Sequence, residues 1–346
     1  MAKRPDFVIG GVSVGPGKRQ TVDLPVSVLS DNTQVHLSIH VIHGRRPGPT
    51  LFVSAAVHGD EVIGVEIARR LLRSPQVNSV AGTLLVVPIV NTFGFLNHSR
   101  YMPDRRDLNR SFPGGEKGSL AGRLAHLFMT EVVERSDLGI DLHSAAIHRT
   151  NMPQIRISPT QADTLSYAHA FGAPVIIRAK LRDGSLRAAA KARGIDMLLY
   201  EAGEGLRFDE HSARAGVAGI LRVMQEMSMI RGRGVSKPRA RAVEASSSSW
   251  TRAPAGGLLR AFRGTSEYVA EGDLLGVIAD PFGEVEIQVL AETTGIIIGR
   301  TNLPVLNEGD ALFHIAETSR RKAETTIDQL ANQLEADPMF DEDEII

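Results

Sequence analysis

Apolar positions change their rhythm twice along this chain. Residues 7–48 read as extended segments, with turns at Gly15-Pro16-Gly17 and Arg46-Pro47-Gly48. From Leu51 onward strand and helix alternate. Leu51–Val57 (LFVSAAV) has the unbroken apolar texture of a buried strand, and Val62, Ile63, Val65, Ile67, Ala68, Leu71 and Leu72 then recur at helical spacing. Thr83–Val90 is a second buried strand. Leu120–Val133 is helical, with Ala121, Leu124, Ala125 and Phe128 on one face. Leu138–Leu142 leads to His143 as a third strand. Ile155–Ile157, Val175–Ile177 and Met197–Tyr200 are further strands, separated by helices near 161–170 and 185–193, and Ser212–Met227 is the last strong helix. The pattern predicts an α/β domain over residues 1–235, with an N-terminal β segment and a mixed, mainly parallel sheet flanked by helices. Its ligand site is expected at the C-terminal ends of the strands.

The texture changes again near residue 236. Residues 231–243 are basic and contain Pro and Gly, and Ser246–Ser249 is a serine run, so residues 236–249 read as a linker. Residues 250–318 consist of short β-type segments separated by glycines, the texture of a small antiparallel β-module. Residues 319–346 form a charged helical segment followed by an acidic tail at Asp341-Glu342-Asp343-Glu344.

Composition narrows the function classes. The formal net charge of −1 argues against nucleic acid and against an anionic membrane surface as the main partner. No apolar run approaches the ~18 residues of a membrane-spanning helix, and the N-terminus carries no apolar signal core. Cysteine is absent, which fits the cytoplasm and leaves only His and carboxylates to hold a metal. A homo-oligomer is compatible with all of this.

The chemistry sits at the strand ends. His58 and Glu61 lie on the turn between the Leu51–Val57 strand and the following helix, three residues apart, so an imidazole and a carboxylate can converge on one ion. His143 ends another strand and can complete a triad, and two His plus one Glu is an established zinc set that leaves a fourth position for water. Asp107-Leu108-Asn109-Arg110 lies between them. The guanidinium of Arg110 suits a carboxylate, and Asp107 can orient a ligating His. Glu201 follows the Met197–Tyr200 strand and is placed to move a proton, with Glu204 as its rival.

Taken together, His58-Gly59-Asp60-Glu61, Asp107-Leu108-Asn109-Arg110, Asp141-Leu142-His143 and Glu201-Ala202-Gly203 resemble the succinylglutamate desuccinylase/aspartoacylase family, relatives of zinc carboxypeptidases. The likeness covers roughly residues 50–318, because Asp280-Pro281-Phe282-Gly283 and Leu303–Ile315 resemble the family's C-terminal domain. The resemblance implies one zinc ion on His58, Glu61 and His143, with Glu201 as general base and Asn109 and Arg110 on a substrate carboxylate. It also implies an arginine that polarises the scissile carbonyl. Arg100 matches that arginine in type, with Arg106 as competitor. The β-module looks like a lipoyl-type barrel but has no Lys between Lys237 and Lys322, so a wall or lid beside the zinc is the expectation rather than a carrier arm. The implied activity is hydrolysis of the amide bond of an N-acyl amino acid. A carboxypeptidase or deglutamylase acting on short peptides, and a non-catalytic binding protein on the same fold, are the alternatives.

Overall fold

A computed structural model describes residues 4–158, 163–238, 241–325 and 327. After the hairpin β1 (Phe7–Ile9) and β2 (Val12–Val14) come β3 (Lys18–Val28), β4 (Gln34–His43), β5 (Arg46–Ala55), α1 (Ile63–Arg73), β6 (Ala81–Val87), α2 (Thr92–Leu96) and α3 (Leu120–Glu131). They are followed by β7 (Leu138–His143), β8 (Arg149–Ile157), α4 (Thr164–Phe171), β9 (Val175–Arg178), α5 (Leu186–Ala192), β10 (Asp196–Gly203) and α6 (Glu210–Glu226). The rest is β: β11 (Val243–Ala245), β12 (Ser248–Arg252), β13 (Gly257–Ala261), β14 (Tyr268–Val269), β15 (Leu274–Ala279), β16 (Glu286–Leu290), β17 (Gly295–Thr301), β18 (Val305–Leu306) and β19 (Ala311–Glu317).

The centre is one mixed sheet of 13 strands, whose main path runs β12-β19-β17-β8-β10-β7-β5-β6-β4-β3. β10, β7, β5 and β6 are parallel neighbours, while β8 runs antiparallel to β10. β5 shows why both faces are covered. Leu51, Val53 and Ala55 join the core beneath α1, α4 and α6, whereas Phe52 joins the core beneath α3, where its ring meets Phe128 edge-on. Alternate residues of a strand face opposite sides, so a strand packed on both sides reads as continuously apolar.

The C-terminal β region is joined to this sheet. β17 pairs with β8, opposing Gly299 to Asn151, while β16, β15, β13 and β18 form a separate four-stranded sheet. Within residues 236–249, Val243–Ala245 forms β11, which pairs in parallel with β9. β8 begins six residues earlier than the Ile155 start expected from apolar content, because its first half is polar and faces a cavity. No helix among the described residues is long and apolar enough to cross a membrane. The acidic run Asp341–Glu344 lies outside the described residues.

Candidate active site

The His58 turn is shaped by close packing. Ala56, just past β5, adopts a positive φ of 50°. Gly59 then presses against α2, where a Cβ would fall 1.9 Å from the Gly94 carbonyl carbon and 2.2 Å from the Phe95 nitrogen. Only glycine fits there. The Glu61 amide donates to the His58 carbonyl at 3.2 Å, and α1 starts immediately after. The turn thereby carries His58 and Glu61 inward to a buried point at the end of β7.

There three donors converge. Among the described residues, His58, Glu61 and His143 form a buried group whose ligand atoms all lie within 4.8 Å of one another. His58 Nδ1 is 2.6 Å from one Glu61 oxygen, and His143 Nδ1 is 2.7 Å from the other. Each imidazole is backed by a second carboxylate. His143 Nε2 lies 2.7 Å from Asp141 Oδ2, and His58 Nε2 lies 3.4 Å from Asp107 Oδ1. Asp141 Oδ1 accepts from Ser54 Oγ at 2.7 Å, and Asp107 Oδ2 pairs with Arg100 Nη2 at 3.0 Å.

The electrostatics follow from that order. Burial by itself would lower both imidazoles, but Glu61 and Asp107 raise His58, and Asp141 with Glu61 raises His143 well above its ordinary value. Burial would raise Glu61, yet the two imidazoles hold it far below the carboxylate range. The chain alone thus forms a buried row of alternating charges. A divalent cation fits the same row: two Nδ1 atoms and one carboxylate face inward, Asp141 is in hydrogen-bond reach of His143 Nε2, and Asp107 stands 3.4 Å from His58 Nε2. That is the donor set and outer shell that zinc takes.

The remaining expected residues separate. Arg100 reaches the group, with Nη1 3.5 Å from Glu61 Oε1, whereas Arg106 is exposed and pairs with Asp104 at 3.4 Å. Arg110 lines the cavity and is exposed to it, donating through Nη1 to the Asn109 carbonyl. Asn109 is buried, and its Oδ1 accepts the Leu186 amide at the start of α5 at 2.9 Å, so its amide also serves the fold. Glu201 is the register partner of His143 across β10 and β7 and lines the same cavity. Glu204 is engaged elsewhere, accepting from the His148 amide at 3.0 Å and Asn302 Nδ2 at 2.9 Å.

The cavity has a volume of about 760 Å³, and its walls hold eight Arg or Lys side chains against three carboxylates. Several of these residues were not readable in advance. Arg187 of α5 donates through Nη2 to the Lys180 carbonyl at 3.2 Å, but its Nε and Nη1, like Arg156 Nε, are buried without a partner among the described residues. Burial, with Arg156 nearby, pushes Arg187 down to about 10. The C-terminal strands add Trp250 and His314, stacked at 4.6 Å between ring centroids, with the Arg149 guanidinium carbon 5.3 Å from the Trp250 ring. Asp141 did carry a signal, since two residues before His143 on a strand is the same face. Arg156, Arg187 and Trp250 carried none.

A sequence model of the succinylglutamate desuccinylase/aspartoacylase catalytic domain matches residues 47–227, the stretch that holds every residue of the His-Glu-His group and Glu201. The chain belongs to this family. Among its members, the N-α-acetyl-L-2,4-diaminobutyric acid deacetylase of Halomonas elongata is 27% identical over 285 residues, covering 79% of this chain and 83% of the relative. The succinylglutamate desuccinylase of Pseudomonas aeruginosa is 29% identical over 150 residues, 39% of this chain and 44% of that enzyme. The curated members that match are thus deacylating hydrolases. Of solved structures in the family, a succinylglutamate desuccinylase/aspartoacylase from Rhodobacter sphaeroides superposes with a TM-score of 0.76 at 26% identity, covering 87% of this chain and 96% of that one. The ectoine utilization protein EutE (DoeB) of Ruegeria pomeroyi, in a product-bound structure, gives 0.78 at 24% identity over 87% and 95%, which shows the shared fold. That fold is zinc-carboxypeptidase-like, a mixed α/β sheet with flanking helices and an all-β C-terminal region.

Proposed function

We propose that this family member is a zinc-dependent amidohydrolase that removes an acyl group from an N-acyl amino acid. One observation carries the reading: two imidazoles and a carboxylate converge within 4.8 Å, and Glu201 opens onto the same cavity. Two curated relatives being deacylases supports it.

The positions support one set of roles. His58, Glu61 and His143 would hold the zinc, which supplies Lewis-acid polarisation and makes water more acidic. Glu201 takes a proton from the attacking water and returns it to the leaving nitrogen. Arg100, beside Glu61, stabilises negative charge as it develops on the scissile oxygen. Arg110 lines the cavity and is exposed, so its guanidinium can turn from the Asn109 carbonyl to form a fork with the substrate carboxylate. Arg187 also lines this cavity, and its Nε and Nη1 are buried without a partner among the described residues; a buried cation is costly unless a ligand anion meets it. This favours a substrate with an anionic group on each side of the scissile amide.

The test is a hydrolysis screen of zinc-loaded protein with N-succinyl-L-glutamate, N-acetyl-L-2,4-diaminobutyrate and a short glutamyl peptide, read as amine released. Turnover of the succinyl conjugate ahead of the others is expected. Turnover of the peptide alone would make the protein a peptidase. Absence of turnover on all three in a protein that binds zinc would remove the hydrolase reading for these classes.

A further inference from the structure

Glu201 is not held by the strands that carry the metal group. Its carboxylate is held from β8, which lies on the other side of β10. Asn151 Nδ2 donates to Glu201 Oε2 at 2.8 Å, and Arg156 Nη1 stands 3.7 Å from Glu201 Oε1. Asn151 is buried, and Glu201 is only 14% exposed. One carboxylate oxygen is therefore occupied by a neutral donor, and the other is turned toward a cation and the cavity.

Two irregularities make this contact. The β10–β8 register shifts between Glu201 and Gly203, so Asn151 opposes Gly203 while its side chain reaches diagonally to Glu201. On the far side, Asn151 opposes Gly299 of β17, next to a shift in the β17–β19 register between Ile297 and Gly299. Bulges re-aim side chains beside sites in this way. With Nδ2 directed at the Glu201 carboxylate, Asn151 Oδ1 points at Gly299, and a Cβ there would lie 2.4 Å from it. Gln154, three residues along β8, donates to the Ile298 carbonyl at 3.2 Å and ties the same two strands.

We propose that Asn151 is a positioning residue for Glu201, and that the glycine at 299 in the C-terminal β region is what leaves room for it. The inference rests on Glu201 being the base. It gives the C-terminal region a part in the chemistry beyond walling the cavity, because β17 sets the side-chain space on β8 from which the base is oriented. An amide suits the task. It donates to a carboxylate firmly, and unlike Lys or His it has no proton to lose to it.

The experiment compares Asn151→Ala, Gly299→Ala and the double variant in the full-length, zinc-loaded protein, with N-succinyl-L-glutamate and N-acetyl-L-2,4-diaminobutyrate as substrates. A hydrogen bond to a charged group predicts a fall in kcat of about 10- to 100-fold for Asn151→Ala, with KM and zinc content near wild type. Gly299→Ala should lower kcat too, but add nothing further in the Asn151→Ala background, since both act through one contact. Independent, multiplying losses would overturn the link through Gly299. An Asn151→Ala enzyme with wild-type kcat would overturn the positioning role. If Gly299→Ala does not fold, or neither substrate is turned over, crystal structures of wild type and Asn151→Ala decide. A Glu201 carboxylate that moves or splits between orientations supports the proposal, and one that stays fixed overturns it. Failure of the base assignment is separable, because Glu201→Gln would then retain turnover whatever Asn151 does.

Discussion

Asp141→Asn removes one negative charge behind the His58-Glu61-His143 group and leaves the shape of the side chain intact. Asp141 is 1% exposed and bridges His143 Nε2 and Ser54 Oγ, each at 2.7 Å. Asparagine can keep both contacts: its Oδ1 accepts from His143 Nε2–H, and its Nδ2 donates to the Ser54 hydroxyl, which switches from donor to acceptor. What is lost is the charge that makes His143 Nδ1 a stronger donor to a cation. Outer carboxylates of this kind are worth about 10- to 100-fold in metal affinity, or about 1.4–2.7 kcal/mol. Asp107→Asn should cost less, because Asp107 sits farther from its imidazole, at 3.4 Å, and is already neutralised by Arg100. The assay is competition for zinc against a chelator of known affinity at neutral pH, with His143→Ala as the non-binding control. Unchanged affinity in Asp141→Asn would refute the reasoning, as would a larger loss in Asp107→Asn. Either result would mean that the Asp141–His143 pair serves the fold rather than the ion.

Three further outcomes are expected. Glu201→Gln should abolish turnover with zinc content unchanged, while Glu204→Gln, whose carboxylate is engaged by His148 and Asn302, should keep it; the reverse result would move the base to Glu204, just past the end of β10. Arg110→Ala and Arg187→Ala should each reduce kcat/KM by ~10- to 1000-fold on N-succinyl-L-glutamate. Amidating the substrate group that each arginine holds should erase its effect, and equal losses on the amidated forms would make the arginine structural. His314 is the pH-sensitive element of the C-terminal strands: burial, with Arg156 adding, holds it down to about 3, against about 6.5 in an unfolded chain. Its lowered value gives stability that is complete above the unfolded pKa and declines as pH falls toward 3, by about 2 kcal/mol at pH 5. Denaturant unfolding of wild type and His314→Gln at pH 7 and pH 5 checks this, and equal losses in the two proteins would mean that His314 is not kept neutral.

Local rhythm decided much of the fold. The apolar run from Leu51 dictated a strand covered on both faces, although that strand takes in Arg46-Pro47-Gly48, expected as a turn, and ends at Ala55 rather than Val57; the spacing of Val62 through Leu72 dictated a helix entering beside it. With β5 and β7 parallel neighbours, His58 just past β5 and His143 at the end of β7 come to the same end of the sheet. These features are legible because side-chain direction in a strand or helix repeats over two to four residues, a range that a sequence displays directly. Contacts between distant segments are not displayed that way. Asn151 and Glu201 are 50 residues apart in the chain, and their hydrogen bond depends on a register shift in β10 that no local pattern encodes. Arg156 and Arg187 look like ordinary surface cations in sequence; only the packing of α5 beside β10 buries two Arg187 nitrogens without a partner among the described residues, and only the β8–β10 pairing sets Arg156 opposite Glu201. Residues 250–318 read as a separate β-module because their glycines and short strands are local, while the pairing of β17 with β8 is a choice of edge made by the assembled sheet. Sequence thus showed that His58, Glu61, His143 and Glu201 stand at strand ends, since that follows from where strands stop. Tertiary structure decided which of them touch and which charges go unpaired, because those are set by register and packing between segments far apart in the chain.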